Sequence, residues 1–153
     1  MRIIILHAAS TPYKFVDETD KQRYDTILQS KPLKMLPKSQ IVGLALVDKY
    51  HPLIHGETEW YFKDNFGYWI EDVIRLEQPI PYKGKLSLFT ISQQVQEQIK
   101  IQPGVQDRLE KWRLLCGKSE ESLRALSIRQ PPVEAILQGV KRVENRSRSV
   151  FKV

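Results

Sequence analysis

Disulfides, clustered metal ligands and membrane spans are all hard to build from this chain. It has 153 residues and a single cysteine, Cys116. No intramolecular disulfide can form and no cysteine-rich zinc site can be assembled. A reducing, cytoplasmic compartment is therefore the expectation. No apolar run reaches the roughly 18 residues that a membrane-spanning helix needs, so no membrane partner is expected. The first ten residues contain an apolar stretch, Ile3 to Leu6, that is too short for the core of a signal peptide, and Pro12 follows closely. The stretch reads as a buried strand. Histidine is also scarce. His51 and His55 lie four apart, but Pro52 stands between them and no acid completes a ligand pattern. Neither a metal nor a cofactor is expected.

What is present suits one globular domain with a core: 41% of residues are hydrophobic and 27% charged. The formal net charge is +6. From Arg124 to Val153 there are seven basic residues against Glu134 and Glu144, a net of +5. That distribution favours an anionic partner such as a phosphate backbone, with a solvated basic face as the plain alternative.

Hydrophobic patterning sets the elements. Arg2–Ala8, with three isoleucines, reads as a strand ending in His7 and Ala8. Residues 17–30 read as a short polar helix capped by Thr19 or Asp20, with Tyr24, Ile27 and Leu28 on one side. Residues 31–40 form a loop around Pro32 and Pro37. Ile41–Val47 is the clearest strand, and Gly43 within it indicates a bulge or a close backbone approach. Lys49–Glu59 reads as a loop. Trp60–Arg75 is rich in aromatics. Within Gly67–Leu76, period-2 alternation puts Tyr68, Ile70, Asp72, Ile74 and Leu76 on one face and Trp69, Glu71, Val73 and Arg75 on the other. Pro79, Pro81 and Gly84 predict a rigid turn before a strand over Leu86–Ile91. Residues 92–122 are glutamine-rich and predict a helical connector. Its amphipathic face carries Val105, Leu109, Trp112 and Leu115, it docks through Trp112, and Gly117 ends it.

The segment Leu126–Arg146 packs strand, helix, turn and strand into few residues. Pro131 or Pro132 opens the helix. Val133, Ile136, Leu137 and Val140 share its buried face, and Gly139 ends it. In a regular strand Arg142, Glu144, Arg146 and Arg148 would share a face. Lys141 lies at the turn, where phase is not fixed.

Gly139-Val140-Lys141-Arg142-Val143-Glu144-Asn145-Arg146 matches GxKxxExR, the signature of the ASCH (activating-signal-cointegrator homology) domain. Ser127-Ile128-Arg129-Gln130-Pro131 resembles that family's opening strand and the turn into its first helix. The family is similar to PUA domains. The resemblance thus implies an α+β fold: a small PUA-like β-barrel surrounded by short helices, with a cleft for RNA. Ile3–Ala8, Ile41–Val47 and Gly67–Ile91 resemble later parts of the same family, but the order is changed. The single domain, 1–153, reads as circularly permuted. Residues 124–153 are the family's opening module, 1–91 the remainder of the barrel, and 92–122 the connector. Domain swapping into an oligomer is the alternative arrangement.

The resemblance implies binding of RNA or a nucleotide-like anionic ligand. Arg129, Arg146 and Arg148 would hold phosphates. Gln130 and Glu144 would read a base edge, Tyr68 or Trp69 would stack on it, and His7 would face the same cleft. A second implication is hydrolysis, of RNA or of an amide on a modified nucleoside, with Lys141 and Glu144 as catalytic residues. Hydrolases of the wider family place a threonine nucleophile where this chain has Glu144. A carboxylate there would act as a general base on water, with Lys141 stabilising the oxyanion. A structural ion pair between the two is the plain alternative.

Overall fold

The computed structural model describes residues 1–29, 31–62, 64–117 and 123–146. Arg148 lies outside these residues. Among the described residues the fold is α+β: six strands form one curled half-barrel sheet, accompanied by four short α-helices. The elements are β1 (Arg2–Ala8), α1 (Glu18–Leu28), β2 (Gln40–Pro52), β3 (Phe66–Pro81), β4 (Leu88–Thr90), α2 (Gln93–Lys100), α3 (Val105–Cys116), β5 (Arg124–Ile128), α4 (Pro132–Leu137) and β6 (Val143–Arg146). The sheet order is β4-β5-β1-β2-β3-β6, with β1 and β5 parallel and the other neighbours antiparallel. The C-terminal module therefore completes its own chain's sheet at two places. β5 enters between β4 and β1, and β6 lies beside β3.

Two apolar layers hold the sheet. On one face Ile4, Leu6, Val42, Ala45, Tyr68, Ile70 and Leu126 pack against Val133, Ile136 and Leu137 of α4. On the other, Ile5, Leu44, Leu46, Ile74 and Leu76 pack against Ile99 of α2 and Val105, Leu109 and Trp112 of α3. Trp112 docks α3 on the sheet, as its position in the helical pattern predicts. The alternation in β3 does not run unbroken. The register against β2 shifts at Leu46/Val47 and again at Val47/Lys49, so Ile70 faces α4 while Ile74 and Leu76 face α3. This resolves the placement of Asp72 within an apolar run. It turns toward α3, where the Trp112 indole donates to it at 3.0 Å and Arg108 pairs with it. Burial works against its ionised form, but these bonds outweigh burial and hold its pKa below the usual carboxylate value. On the α4 side, Arg75 makes two parallel bonds to Glu134, at 3.0 and 2.9 Å.

Gly43 serves both roles that its position suggests. The register shifts beside it, and an added Cβ would run into the Ile74 carbonyl and lie 2.6 Å from Leu137 Cδ2. Several boundaries differ from the sequence reading. Asp17, not Thr19 or Asp20, caps α1, accepting from the Asp20 N–H at 2.8 Å. β2 continues through Pro52 because β3 pairs with it there, and β3 runs on through Pro79 and Pro81, so the turn falls later. Leu115 is exposed and Cys116 takes the partly buried position, since 105, 109, 112 and 116 follow the 3.6-residue period more closely. Val140 is exposed because α4 stops at Leu137 and Gly139 leaves the helix at φ 77°.

Candidate functional site

The turn after α4 sets the geometry of the signature. The amides of Val140 and Lys141 both donate to the Ala135 carbonyl, at 3.1 and 3.0 Å, and Ile70 N–H donates to the Arg142 carbonyl at 2.8 Å. These bonds fix the phase that the sequence leaves open. Lys141 is turned inward. Its ammonium donates to the Val143 carbonyl and lies 3.5 Å from Glu144 Oε2. On the far side of the carboxylate, Arg146 Nε approaches Glu144 Oε1 at 3.3 Å. Arg146 Nη2 donates to the Ser127 carbonyl of β5 at 2.7 Å. The result is a cation–carboxylate–cation row along the motif.

The row is covered. Lys141 is 2% exposed and Glu144 8%. The Trp60 ring lies 5.5 Å from the Lys141 ammonium, and the Arg23 guanidinium lies 5.1 Å from the same ring. Tyr24 and Trp60 pack with Ala135 and Val143. Asp20, on the same face of α1 as Tyr24, accepts from Tyr13 Oη at 2.9 Å and from the Val16 amide at 3.0 Å. Burial lowers the Lys141 pKa from its ordinary value, and the Arg146 charge pushes the same way, against the opposing pull of Glu144 and Asp20. The two phenols shift in the other sense. Burial first, with Asp20 and Glu144 adding to it, pushes Tyr13 and Tyr24 well above 10.0.

The other predicted residues divide. Arg129 is exposed. Gln130 is buried and used at both ends. Its Nε2 donates to the Pro37 carbonyl at 3.0 Å, and its Oε1 accepts from the Glu134 amide at 3.2 Å. Tyr68 lies directly across from Glu144 on β3, but its ring is in the core and stacks on Tyr50. Trp69 lies across from Val143, stacks on His51, and has Lys49 5.4 Å from its ring. Its buried indole N–H has no hydrogen-bond partner. His7 is buried with both ring nitrogens engaged. Nε2 donates to the Tyr82 carbonyl at 2.7 Å, which leaves Nδ1 to accept from the Ser127 hydroxyl at 2.8 Å. Burial lowers its pKa, against the bond to Tyr82. Arg142, placed by sequence on the face of Glu144, instead reaches back to the Ile70 and Glu71 carbonyls. His51 and His55 do not converge: His51 contacts Glu57 at 3.2 Å, while His55 meets Tyr61 edge-on.

Sequence reasoning missed Tyr13, Asp20 and Tyr24 as neighbours of the motif, and treated Trp60 only as one of many aromatics. A signal existed for two of them. Asp20, Tyr24 and Ile27 fall at i, i+4 and i+7 of α1, so an acid sits on the helix's buried side. No comparable pattern marks Tyr13 or Trp60, which reach the motif from loops.

Among the described residues no helix is long and apolar enough to cross a membrane. Comparison with protein-family models, with curated proteins and with solved structures finds no match for this chain.

Proposed function

We propose that the chain is a permuted ASCH-type, PUA-like module that binds RNA or a nucleotide-like anionic ligand at the row formed by Lys141, Glu144 and Arg146. The observation that carries this reading is the burial of Lys141 and Glu144, with the Trp60 ring over the Lys141 ammonium. Desolvating two charges costs several kcal/mol per ion, and an apolar pair of similar size commonly serves stability as well or better. Folding alone does not call for the Lys141–Glu144 pair, whereas recognition of a phosphate and a base edge uses such groups. The row lies at the seam between β5 and β6, where Arg146 reaches the Ser127 carbonyl. The ligand reaches the row by displacing Trp60 from the ammonium. A reducing, cytoplasmic setting suits a chain with a single thiol, Cys116.

One observation favours the hydrolase as a second reading. The Lys141 pKa is lowered and a carboxylate lies 3.5 Å away, which is the kind of pairing that general acid–base chemistry uses. The experiment that separates the two incubates the protein with labelled single-stranded RNA and with N4-acetylcytidine. Salt-dependent retention of RNA without turnover identifies a binding module. Released acetate or cut RNA, abolished by Lys141→Ala with the fold intact, identifies the hydrolase. If the wild-type protein neither retains RNA nor turns over either substrate, both readings fail.

A further inference from the structure

Among the described residues of the C-terminal segment, the charge does not face outward as a block. Lys141 and Arg146 are committed to Glu144 and the main chain, and Arg142 to two carbonyls. The exposed charge collects elsewhere. Four loops meet at the end of the sheet where β1 and β5 finish. The Ala9 amide donates to the Ile128 carbonyl at 2.9 Å, and the Tyr13 amide to the Gln130 carbonyl at 2.8 Å. The Ser39 amide donates to the Ala8 carbonyl at 2.7 Å, and the Tyr82 amide to the Ser39 carbonyl at 3.1 Å. Gly84 sits so close to β1 and β5 that an added Cβ would lie 2.5 Å from Ser127 Oγ and 2.6 Å from the His7 ring.

These loops are 9–17, 31–39, 82–87 and 129–131. They carry Lys14; then Lys31, Lys34 and Lys38; then Lys83 and Lys85; and finally Arg129, every one exposed. Their one acid is Asp17, which is occupied as the cap of α1. Seven cations against one acid give +6, the formal net charge of the whole chain, so all remaining residues together are neutral. Elsewhere some cations stand beside acids, as exposed Lys21 does with Asp25 and partly buried Lys100 with Glu97. Among the described residues none of the loop cations stands in such a pair. Lys31 acts on the Glu134 carboxylate from a longer distance, but among the described residues no ion pair neutralises the cluster.

We propose that these four loops form a docking surface for the phosphate backbone of RNA, laid beside the Lys141–Glu144–Arg146 row. The two regions adjoin. Tyr13 holds Gln130 through its amide and Asp20 through its hydroxyl, while Ser127 touches His7 through its hydroxyl and Arg146 through its carbonyl. The backbone lies across flexible lysines that set affinity, while the row beside it receives a nucleotide. The inference rests on the proposed function for the identity of the polyanion; the surface itself follows from the loops alone.

The test is equilibrium binding of a labelled single-stranded RNA of about 20 nucleotides over a range of salt. Three proteins are compared with wild type: Lys83→Glu/Lys85→Glu, Lys111→Glu/Arg124→Glu, and Lys141→Met/Glu144→Gln. Lys111 and Arg124 are exposed but lie on α3 and at the far end of β5, so they control for net charge. The loop variant is expected to bind at least about tenfold more weakly. Its plot of log affinity against log salt is expected to be shallower by about 0.7 for each phosphate no longer neutralised. The Lys111/Arg124 control is expected to stay within about twofold of wild type. Equal weakening in loop variant and control overturns the proposal, because bulk charge then explains binding. A loop variant that binds as wild type, while Lys141→Met/Glu144→Gln no longer holds RNA, overturns this surface and leaves the proposed site standing. The reverse result supports the surface and removes the site. Wild-type protein that ignores RNA but binds phosphatidylserine vesicles overturns both.

Discussion

Arg146 Nη2 donates to the Ser127 carbonyl across 2.7 Å, joining β6 to β5, two strands that the sheet order separates by three others. This bond shows how far the sheet curls, and it ties the motif to the parallel pair β1/β5. A charge-assisted bond to a carbonyl is worth about 1.5–3 kcal/mol. Arg146 is partly exposed, so Arg146→Ala is expected to lower stability by about 1–2 kcal/mol in urea unfolding. Arg146→Lys is expected to recover only part of this, because an ammonium cannot span Glu144 and Ser127 as a planar guanidinium does. A loss below about 0.3 kcal/mol would show that the seam does not hold the curl.

Alkaline stability should report the cover over the motif. Tyr13 and Tyr24 keep their protons above 10.0 in the folded chain, chiefly through burial. Their contribution is therefore complete below about pH 10 and is lost as pH rises, since the unfolded chain ionises first. Lys141 acts in the opposite sense. Its folded pKa lies below 10.5, so its contribution is present above that value and lost as pH falls toward the folded pKa. Above about pH 10.5 Lys141 adds no further change, while the tyrosines still weaken the fold. There the slope expected from Tyr24 is about 1.4 kcal/mol per pH unit, with less from half-exposed Tyr13. Tyr24→Phe should flatten this limb in unfolding measurements at about pH 10.5 to 11.5. An unchanged slope would mean that the phenol is not sealed under α1.

Gly43→Ala probes the contact that seats α4. The added methyl meets the Ile74 carbonyl, which is backbone and cannot rotate away, and Leu137 Cδ2. A loss of about 1–3 kcal/mol is expected from the forced shift, read from the denaturation midpoint. Because Leu137 lies in the helix that leads into Lys141, RNA affinity should fall with it. Wild-type stability in Gly43→Ala would contradict the close approach.

Much of this arrangement is legible in the sequence where burial and periodicity agree. The isoleucines of β1, the Ile41–Val47 core of β2 and the Trp112 face of α3 are found that way. The strand–helix–turn–strand module is legible too, because proline, glycine and apolar spacing coincide in it. Legibility fails where a partner rather than local pattern decides. Lys49–Pro52 lacks alternation but is strand because β3 pairs with it, and Pro79 and Pro81 continue a strand where their chemistry suggests a turn. In β3 the face exchange at Asp72 comes from register shifts, which no period-2 count contains. At the site, Lys141, Glu144 and Arg146 do come together. Gln130 and His7 are tied into the fold, because main-chain groups of two loops and of α4 claim their polar atoms. Tyr13 and Trp60 reach the motif only through tertiary packing.

The central claim is that the Lys141–Glu144 pair is kept for ligand recognition rather than for folding. The most direct measurement is RNA affinity together with melting temperature for Lys141→Met/Glu144→Gln, which removes both charges of the pair while Arg146 keeps its bond to the Ser127 carbonyl. The account predicts a melting temperature near or above that of wild type, with binding of the same RNA weakened at least about tenfold, or about 1.4 kcal/mol. Wild-type affinity in this variant, or a collapse of stability with affinity unchanged in the folded fraction, would contradict it.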